Sequence, residues 1–520
     1  MLIGFQDFVA SSDHGSQFDV CIAGGGVAGI TLALELARSD KRVLLLEGGD
    51  IDFTDESQEL YAGENVGRDY FDVDVGRLRF LGGSSNHWAG FCVPFDDFDF
   101  EARSDIEAFG WPISKADLSP WLDQASGILE LDGQFLPDQP LAEVGNNLRR
   151  FETKMSTPVR FGEKYAEQLR ANPNIVTVLN ASVIDIRIDT VSGAIETFEV
   201  VHTNDPDQKA DVTADRFVLA LGGIENARAL LNANKQMESG IGNDRDLVGR
   251  YFMDHIMTDL GFALLSAPFS TLFSAMSDER FGDAVSFAPT REFLRESNIL
   301  NCELRVRAIE RREATASSPF KSRLKQMICS SEVALNLISY VDTDFKQDRC
   351  WLAHRIKGLP AESFDAVIMA RSEQAPNYDS RVSLADERDR LGLRRIDLNW
   401  QLLDVDKATL AKSVMELGRY FAKTDIGRIR VADWLLDDGR EVAGVPEGER
   451  AAHGGHHIGT TRMAASPSQG VVDENCKVFG TSNLYVAGSS AFPTGGHAPP
   501  TLTIVQLTLR LADHLATLPA

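Results

Sequence analysis

Apolar residues near the N-terminus come in two short runs separated by a helix-forming stretch. Residues 19–23 are mostly β-branched or apolar and end in glycines, the segment from Gly29 favours a helix, and residues 42–46 form the second apolar run. A strand, a helix and a second strand in this order predict a βαβ unit.

Similar patterns return in the middle and at the end of the chain. Residues 174–188 alternate as strands of a sheet do, and residues 214–233 read as an apolar strand that ends in two glycines and continues as a helix. Residues 482–496 form a short buried strand that opens into a loop, and residues 500–515 have the spacing of an amphipathic helix.

These patterns predict an α/β fold, α+β overall, in which one nucleotide-binding domain is built from separated stretches. The predicted segments of this domain are 15–95, 170–257 and 449–520. A second, strand-rich domain on the substrate side, with connecting segments, is predicted at 96–169 and 258–448. At 520 residues the chain exceeds what one hydrophobic core usually supports, which agrees with two domains.

Charge and cysteine content narrow the functional classes. A net charge of -25 repels phosphate backbones and anionic lipid headgroups, so nucleic acid is a poor candidate partner. Six dispersed cysteines without a C-x-x-C pair argue against a structural zinc site or a disulfide framework and favour a reducing compartment. We find no secretory signal and no apolar run of about 18 residues, so the expectation is a cytoplasmic protein without a membrane span.

The turn of the predicted βαβ unit carries the first candidate binding site. Gly24, Gly26 and Gly29 form G-x-G-x-x-G between strand and helix, and Glu47 ends the second strand. The glycines let backbone approach a pyrophosphate at a helix N-terminus, and the carboxylate can accept hydrogen bonds from ribose hydroxyls. This context predicts dinucleotide binding and by itself leaves FAD and NAD undecided.

Seven further motifs, in chain order, carry a resemblance to a known family. They are RFLGGSSNHWAG (79–90), GWPIS (110–114), ALGGIENARALL, VGRYFMDH (248–255), EQAPNYDSRVSL (373–384), HHIGTTRM and NLYVAGSSAFPTGGHAPPTLTI. Together with the N-terminal fingerprint they resemble the glucose-methanol-choline (GMC) oxidoreductases, in particular the sugar-oxidising branch. This branch includes pyranose oxidases, glycoside 3-oxidoreductases and the large subunits of fructose or gluconate dehydrogenases.

The resemblance implies FAD as cofactor, a Rossmann-like FAD-binding domain and a substrate domain with an antiparallel sheet covered by helices. It also implies further positions along the cofactor. These are Gly82, Gly83, Ser84, Asn86, His87, Trp88, Val183, Gly222, Gly488, Ser489 and Thr501.

A cluster of histidines precedes Gly459 and Thr460. In the family, H-x-x-G-T carries the active-site histidine, and this register selects His456. A neutral imidazole suits a base that takes a hydroxyl proton while the carbon loses hydride to the flavin. A zinc site built from His453, His456 and His457 is disfavoured, because no cysteine or carboxylate partner stands nearby in sequence and the metal would consume the imidazole.

The second catalytic position departs from the family. Relatives have Asn or His at or near the residue before Pro-Thr, whereas this chain has Pro499, which offers no side-chain donor. His497, two residues earlier, is the predicted substitute. The alternatives are that one histidine suffices, or that the chemistry differs.

His87 raises the question of a covalent cofactor. In pyranose oxidases a histidine in a similar S-x-H-W motif is bonded to the flavin, and His87 occupies the matching position before Trp88. Other relatives with the motif hold FAD without a bond, so both states remain open.

Three functions follow. The first is oxidation of a ring hydroxyl of a sugar, glycoside or similar polyol to a ketone, with an alicyclic alcohol as variant substrate. The second is a redox-neutral lyase that holds FAD structurally, and the third is a flavin-binding subunit with a role in assembly. The sequence leaves the electron acceptor open: it can be oxygen, a quinone or a redox protein. It also leaves open whether the chain forms a homo-oligomer or binds a small partner subunit.

Overall fold

In the computed structural model, the predicted glycine-rich turn joins a strand to a helix. The structure describes residues 1–103, 110–273, 284–309, 364–436 and 454–519. The strands, numbered in chain order over these residues, are β1 Leu2–Gly4, β2 Phe18–Ala23, β3 Val43–Leu46, β4 Gly63–Asn65, β5 Phe91–Cys92, β6 Gln139–Pro140, β7 Leu148–Arg150, β8 Lys154–Met155, β9 Ile175–Leu179, β10 Ala181–Asp189, β11 Ala194–His202, β12 Asp205–Val212, β13 Ala214–Leu219, β14 Ile256–Leu265, β15 Ala284–Pro289, β16 Cys302–Ala308, β17 Phe364–Ser372, β18 Arg381–Arg388, β19 Arg394–Asn399, β20 Gly427–Val431 and β21 Leu484–Val486. The helices, numbered in the same way, are α1 Phe5–Ala10, α2 Val27–Arg38, α3 Asp55–Gln58, α4 Lys115–Leu118, α5 Leu122–Ile128, α6 Phe161–Ala171, α7 Gly222–Asn232, α8 Phe269–Leu272, α9 Arg291–Ser297, α10 Asp404–Lys423 and α11 Thr501–Thr517.

A parallel sheet forms the centre of the nucleotide-binding side. Its six strands lie in the order β1-β9-β3-β2-β13-β21, so neighbours in space come from the beginning, the middle and the end of the chain. The predicted βαβ unit is confirmed as β2, α2 and β3. The edge strand β1 was not predicted, because three residues are too few for a hydrophobic pattern.

Helices α2 and α11 pack against each other beside this sheet. The spacing of apolar residues in α11 buries Leu502, Val505 and Leu509 in the same core as the strand residues Ile22 and Leu45. Burial of this continuous apolar surface is what holds the separated stretches together.

A seven-stranded sheet forms the second layer, in the order β20-β14-β17-β16-β15-β7-β6, with antiparallel neighbours throughout. Helix α10 packs on β20, β16 and β17 through a core that contains Leu410, Val414, Leu417 and Phe421. The apolar pattern alone predicted a strand-rich segment at 258–448, and this 20-residue helix agrees with the covering helices that the family resemblance implies.

Among the residues that the structure describes, three smaller sheets are also present: β10-β11-β12, β18-β19-β4 and β5-β8. The predicted fold class is confirmed, because one layer is a parallel sheet with helices and the other is an antiparallel sheet with a covering helix. The domain boundaries stay a prediction. Over the described residues, no helix combines the length and the apolar character that a membrane crossing requires.

Candidate active site

A cavity of about 820 Å³ runs from the glycine-rich turn to the histidine cluster. Three helix N-termini open onto it, since Gly26 before α2, Gly222 at the start of α7 and Thr501 at the start of α11 all line its wall. Helix N-termini carry partial positive charge and free N–H groups, which favour phosphate and other electron-rich groups. The cavity therefore suits a long dinucleotide with an anionic centre.

Two of the three fingerprint glycines allow close packing of the backbone, and the third leaves space for a ligand. A Cβ on Gly24 would lie 2.4 Å from the carbonyl oxygen of Ala220, and a Cβ on Gly29 would lie 1.8 Å from the carbonyl oxygen of Gly24. These two glycines allow strand, turn and helix to pack closely. A Cβ on Gly26 would meet no protein atom within 4 Å and would instead occupy the cavity, so this position leaves room for a ligand.

Glu47 braces the turn from the neighbouring strand. Gly25 N–H donates to its Oε2 at 2.8 Å, and Gly49 N–H donates to its Oε1 at 2.7 Å. Each carboxylate oxygen can accept more than one hydrogen bond, and Glu47 also lines the cavity. The residue can therefore hold the turn and still accept from a ribose hydroxyl.

The structure brings most of the predicted cofactor positions to this one cavity. Those that line it are Gly24, Gly26, Glu47, Gly83, Ser84, His87, Trp88, Val183, Gly222, Gly488, Ser489 and Thr501. Gly29, Gly82 and Asn86 lie behind its surface: Gly82 packs so closely that a Cβ would lie 2.5 Å from Gly162 N, and the Asn86 amide donates to the Leu81 carbonyl at 3.0 Å.

His456 lines the other end of the cavity. Its ring Nδ1 lies 2.9 Å from Nδ1 of His255, and His255 Nε2 lies 2.9 Å from the carbonyl oxygen of Gly496. A carbonyl oxygen only accepts, so His255 carries its proton on Nε2 and, as a neutral ring, accepts at Nδ1. His456 must then donate from Nδ1, which leaves the lone pair of its Nε2 free.

Burial keeps both rings neutral. Desolvation lowers the pKa of His456 to about 4, with Asp254 opposing the change and Arg371 adding to it. The pKa of His255 lies well below its usual value, chiefly because the ring is buried and then because of His456 and Arg371. Over the part of the chain that the structure describes, no group is bonded to His456 Nε2.

Asp254 positions the loop that carries His456. Backbone N–H groups of Gly454, Gly455 and His456 donate to its carboxylate at 3.2, 2.9 and 2.8 Å. The N–H of His255 and the hydroxyl of Tyr70 donate to it as well. A single buried carboxylate thus fixes the backbone of the histidine loop.

The ligand atoms of Asp254, His255 and His456 lie within 4.8 Å of one another, which is close enough for a metal ion. Hydrogen bonds account for this closeness, since the Asp254 oxygens receive five donors and the two imidazoles bond to each other. His453, part of the zinc alternative, lies outside the described residues.

His457 also lines the cavity, and its ring packs within a group of aromatic side chains. Its ring lies 6.2, 6.2 and 5.8 Å from the rings of Tyr70, Phe71 and Phe252, and its carbonyl accepts from the Ser489 hydroxyl at 2.7 Å. These contacts support a structural role for His457, which stays a prediction.

The structure does not bring His497 to the cavity wall. The ring is buried, with Nε2 3.5 Å from Asp96 Oδ2 and the ring centre 4.9 Å from that of Phe151. Pro499 and Pro500, by contrast, line the cavity. The role of His497 in catalysis stays a prediction, and its contacts are with the buried ion pairs behind the site.

Sequence reasoning did not assign Asp254, His255 or Arg371, which also lines the cavity. The first two stand in the quoted motif VGRYFMDH, but their contact with His456 spans about two hundred residues of sequence. Arg371 interrupts the apolar run of β17, and a charge in a buried strand is the signal that could have drawn attention to it.

The chain is similar in sequence and in fold to known proteins. Residues 376–508 match the family model described as GMC oxidoreductase. Over these residues the chain is similar to the GMC oxidoreductases. The family implies FAD as the cofactor, and the glycine turn, the three helix N-termini and Glu47 fit that molecule.

Individual relatives include a dehydrogenase subunit and an oxidase. The chain is 24% identical to the fructose dehydrogenase large subunit of Gluconobacter japonicus, over 95% of this chain and 97% of that protein. It is 33% identical to the C-glycoside 3-oxidase of Microbacterium trichothecenolyticum over 26% of this chain and 24% of that protein. Among solved structures, pyridoxine 4-oxidase from Mesorbium loti superposes with a TM-score of 0.56 at 17% identity. The match covers 96% of this chain and 99% of that chain and shows a shared fold.

Proposed function

We propose that this chain is an FAD-dependent oxidoreductase that oxidises a secondary ring hydroxyl of a sugar, glycoside or similar polyol to a ketone. His456 is the base that takes the hydroxyl proton. The observation that carries the proposal is the free lone pair of His456 Nε2 at the end of a cavity fitted to FAD.

The protonation state of the histidine pair suits this role. Because burial lowers the pKa of His456 to about 4, the ring is neutral at pH 7 and can accept a proton. When Nε2 takes the proton, Nδ1–H continues to donate to His255, and the nearby Asp254 carboxylate stabilises the new positive charge. The pair therefore keeps its geometry through the proton transfer.

FAD, when bound, supplies the acceptor for the hydride that leaves the carbon. His456 would take the hydroxyl proton and FAD would supply the hydride acceptor, so the product would be a carbonyl compound. The helix N-termini and the glycine turn would hold the dinucleotide, and Pro499 and Pro500 line the cavity near the start of α11.

The choice of substrate class rests on the relatives. Fructose dehydrogenase and C-glycoside 3-oxidase are named for reactions on a sugar and a glycoside. The relative 2-methyl-1,2-propanediol dehydrogenase is named for a small diol, so the experiment must separate ring hydroxyls from primary alcohols.

The experiment is anaerobic mixing of the purified yellow protein with single compounds while the flavin absorbance is followed. The panel contains sugars, glycosides, alicyclic alcohols and small primary alcohols, and each active sugar is paired with its deoxy analogue at one ring position. We expect bleaching by a sugar or glycoside and none by the analogue that lacks the reacting hydroxyl. Bleaching only by primary alcohols, or by no compound, contradicts the proposal.

A further inference from the structure

One wall of the cavity near His456 contains a buried arginine. Arg371 is only 5% exposed yet lines the cavity together with Met257 and Pro499. On the antiparallel sheet it stands opposite Met257 of β14 and opposite Glu303 of β16. Directly opposed residues share one face of a sheet, so these three side chains face the same side.

Two of the three nitrogens of the Arg371 guanidinium are engaged. Nε donates to the carbonyl oxygen of His497 at 2.7 Å, and Nη2 lies 2.5 Å from Glu303 Oε2. A guanidinium has five N–H donors, and nothing among the described residues accepts from Nη1. The third nitrogen thus keeps its donors for a molecule in the cavity.

The anchor to His497 fixes where this donor lies. The accepting carbonyl is two residues before Pro499, so the guanidinium is held against the loop whose side chain the family uses as its second catalytic position. The charge also reaches the base, because Arg371 contributes to the lowered pKa of His456. An arginine from the sheet therefore contacts this loop, lines the same cavity as the base and acts on the base electrostatically.

We infer that Arg371 is the second group on the substrate oxygen and supplies through Nη1 the hydrogen bond that Pro499 cannot make. The inference rests on the proposed function. As His456 removes the proton, negative charge develops on the oxygen, and a fixed donor stabilises it more in the transition state than in the bound alcohol.

The Glu303 carboxylate decides which substrates this donor favours. It is buried, accepts from the Ser286 hydroxyl at 2.6 Å and balances the charge of Arg371. Arg305 Nε lies 4.0 Å from the same carboxylate, so Glu303 is shared by two arginines. The fixed donor of Arg371 fits an uncharged polyol whose oxygen becomes negative only during reaction.

The test compares flavin reduction in wild type and Arg371→Ala, each with and without added guanidinium chloride far below denaturing concentrations. We expect Arg371→Ala to slow reduction by about 10²- to 10³-fold, as loss of one preorganised donor does. Guanidinium should restore much of the rate, whereas sodium chloride at the same ionic strength should not. FAD affinity, measured by fluorescence titration, should stay unchanged.

Arg149→Ala is the matched control, because Arg149 is a buried arginine of the same sheet, paired with Asp96 and Asp138, that does not line the cavity. If Arg149→Ala reduces its flavin more slowly than wild type, added guanidinium should not restore the rate. Arg371→Ala leaves the buried Glu303 carboxylate without its cation, which can destabilise the fold. The double variant with Glu303→Gln removes that unpaired charge, so the rate and its rescue by guanidinium are measured in this variant as well.

The outcomes separate the two proposals. If no polyol reduces the wild-type flavin, the proposed function fails. If wild type is reduced and the folded Arg371→Ala or double variant keeps its rate, or loses rate without guanidinium rescue, or loses FAD instead, the role of Arg371 is overturned.

Discussion

The Nδ1 atom of His456 lies 2.9 Å from the Nδ1 atom of His255, and this bond determines which nitrogen of His456 can act as a base. The carbonyl of Gly496 holds the His255 proton on Nε2, and His255 in turn holds the His456 proton on Nδ1. His255 is therefore a positioning residue for the neighbouring ring.

Replacement of His255 should misdirect His456 without removing it. In His255→Phe the ring keeps its volume but loses the acceptor, so His456 can turn or exchange tautomers. We expect flavin reduction to slow roughly tenfold or more, about the value of one hydrogen bond, with little change in substrate dissociation constant. His255→Asn, whose amide oxygen can accept, should recover part of the rate. Equal rates in wild type and His255→Phe would contradict the positioning role.

The rate of flavin reduction should fall only at an unusually low pH. Burial lowers the pKa of His456 to about 4, so the reactive neutral form persists as pH falls and is lost only when pH passes through that pKa. We expect the rate of flavin reduction to remain level from pH 7 to about pH 5 and to fall near pH 4, whereas an ordinary histidine would titrate near 6.5. Stopped-flow measurement of the reduction rate against pH checks this. An acid limb near 6.5 would mean that the ring is not desolvated as the structure has it.

A substitution at Gly26 should weaken FAD binding and leave the stability of the apoprotein unchanged. Its φ is -85°, which any residue adopts, and an added Cβ meets no protein atom within 4 Å. In Gly26→Ala the methyl group would occupy the space for the pyrophosphate, so we expect FAD to bind at least about tenfold more weakly, a loss of about 1.4 kcal/mol or more, with an unchanged apoprotein melting curve.

Gly127→Ala is the control for this variant, since Gly127 also has open space around its Cβ position but lies in α5 away from the cavity. Normal FAD affinity in Gly26→Ala would show that the dinucleotide does not approach this turn.

The state of His87 can be read by acid precipitation. The ring lines the cavity, and partial burial, followed by Arg160, lowers its pKa and keeps it neutral at pH 7, which a nucleophilic attachment to the flavin requires. If the bond exists, flavin stays with the acid pellet and is released from His87→Ala. Flavin that appears entirely in the supernatant of wild-type protein establishes that FAD is held without a bond.

Local and non-local parts of the site differed in how well the sequence predicted them. Gly24, Gly26 and Glu47 lie within one βαβ unit, so their spacing alone brought them to the cavity. His255 reaches His456, and Arg371 reaches the same cavity, through the pairing of β14 with β17 and the return of the chain near residue 454, and these contacts leave no local pattern.

The loop around His497 shows why one expected neighbour does not line the cavity. Gly496 turns with φ of +54° directly against the Asp99 carboxylate, and the His497 ring enters the cluster of Asp96 and Phe151. The direction of that side chain depends on packing by residues 96–99 and 151, which the motif itself does not contain.

The most direct test of the central claim is the rate of anaerobic flavin reduction in His456→Ala. This variant should fold and bind FAD, because the dinucleotide is held by the glycine turn at the other end of the cavity, and reduction by substrate should slow by roughly 10²- to 10⁴-fold, the usual loss on removal of a positioned base. His457→Ala, which removes a packed scaffold ring, should lower thermal stability and leave the rate per bound flavin close to wild type. A wild-type reduction rate in His456→Ala, with reduction abolished in His457→Ala, would contradict the assignment of the base and the account built on it.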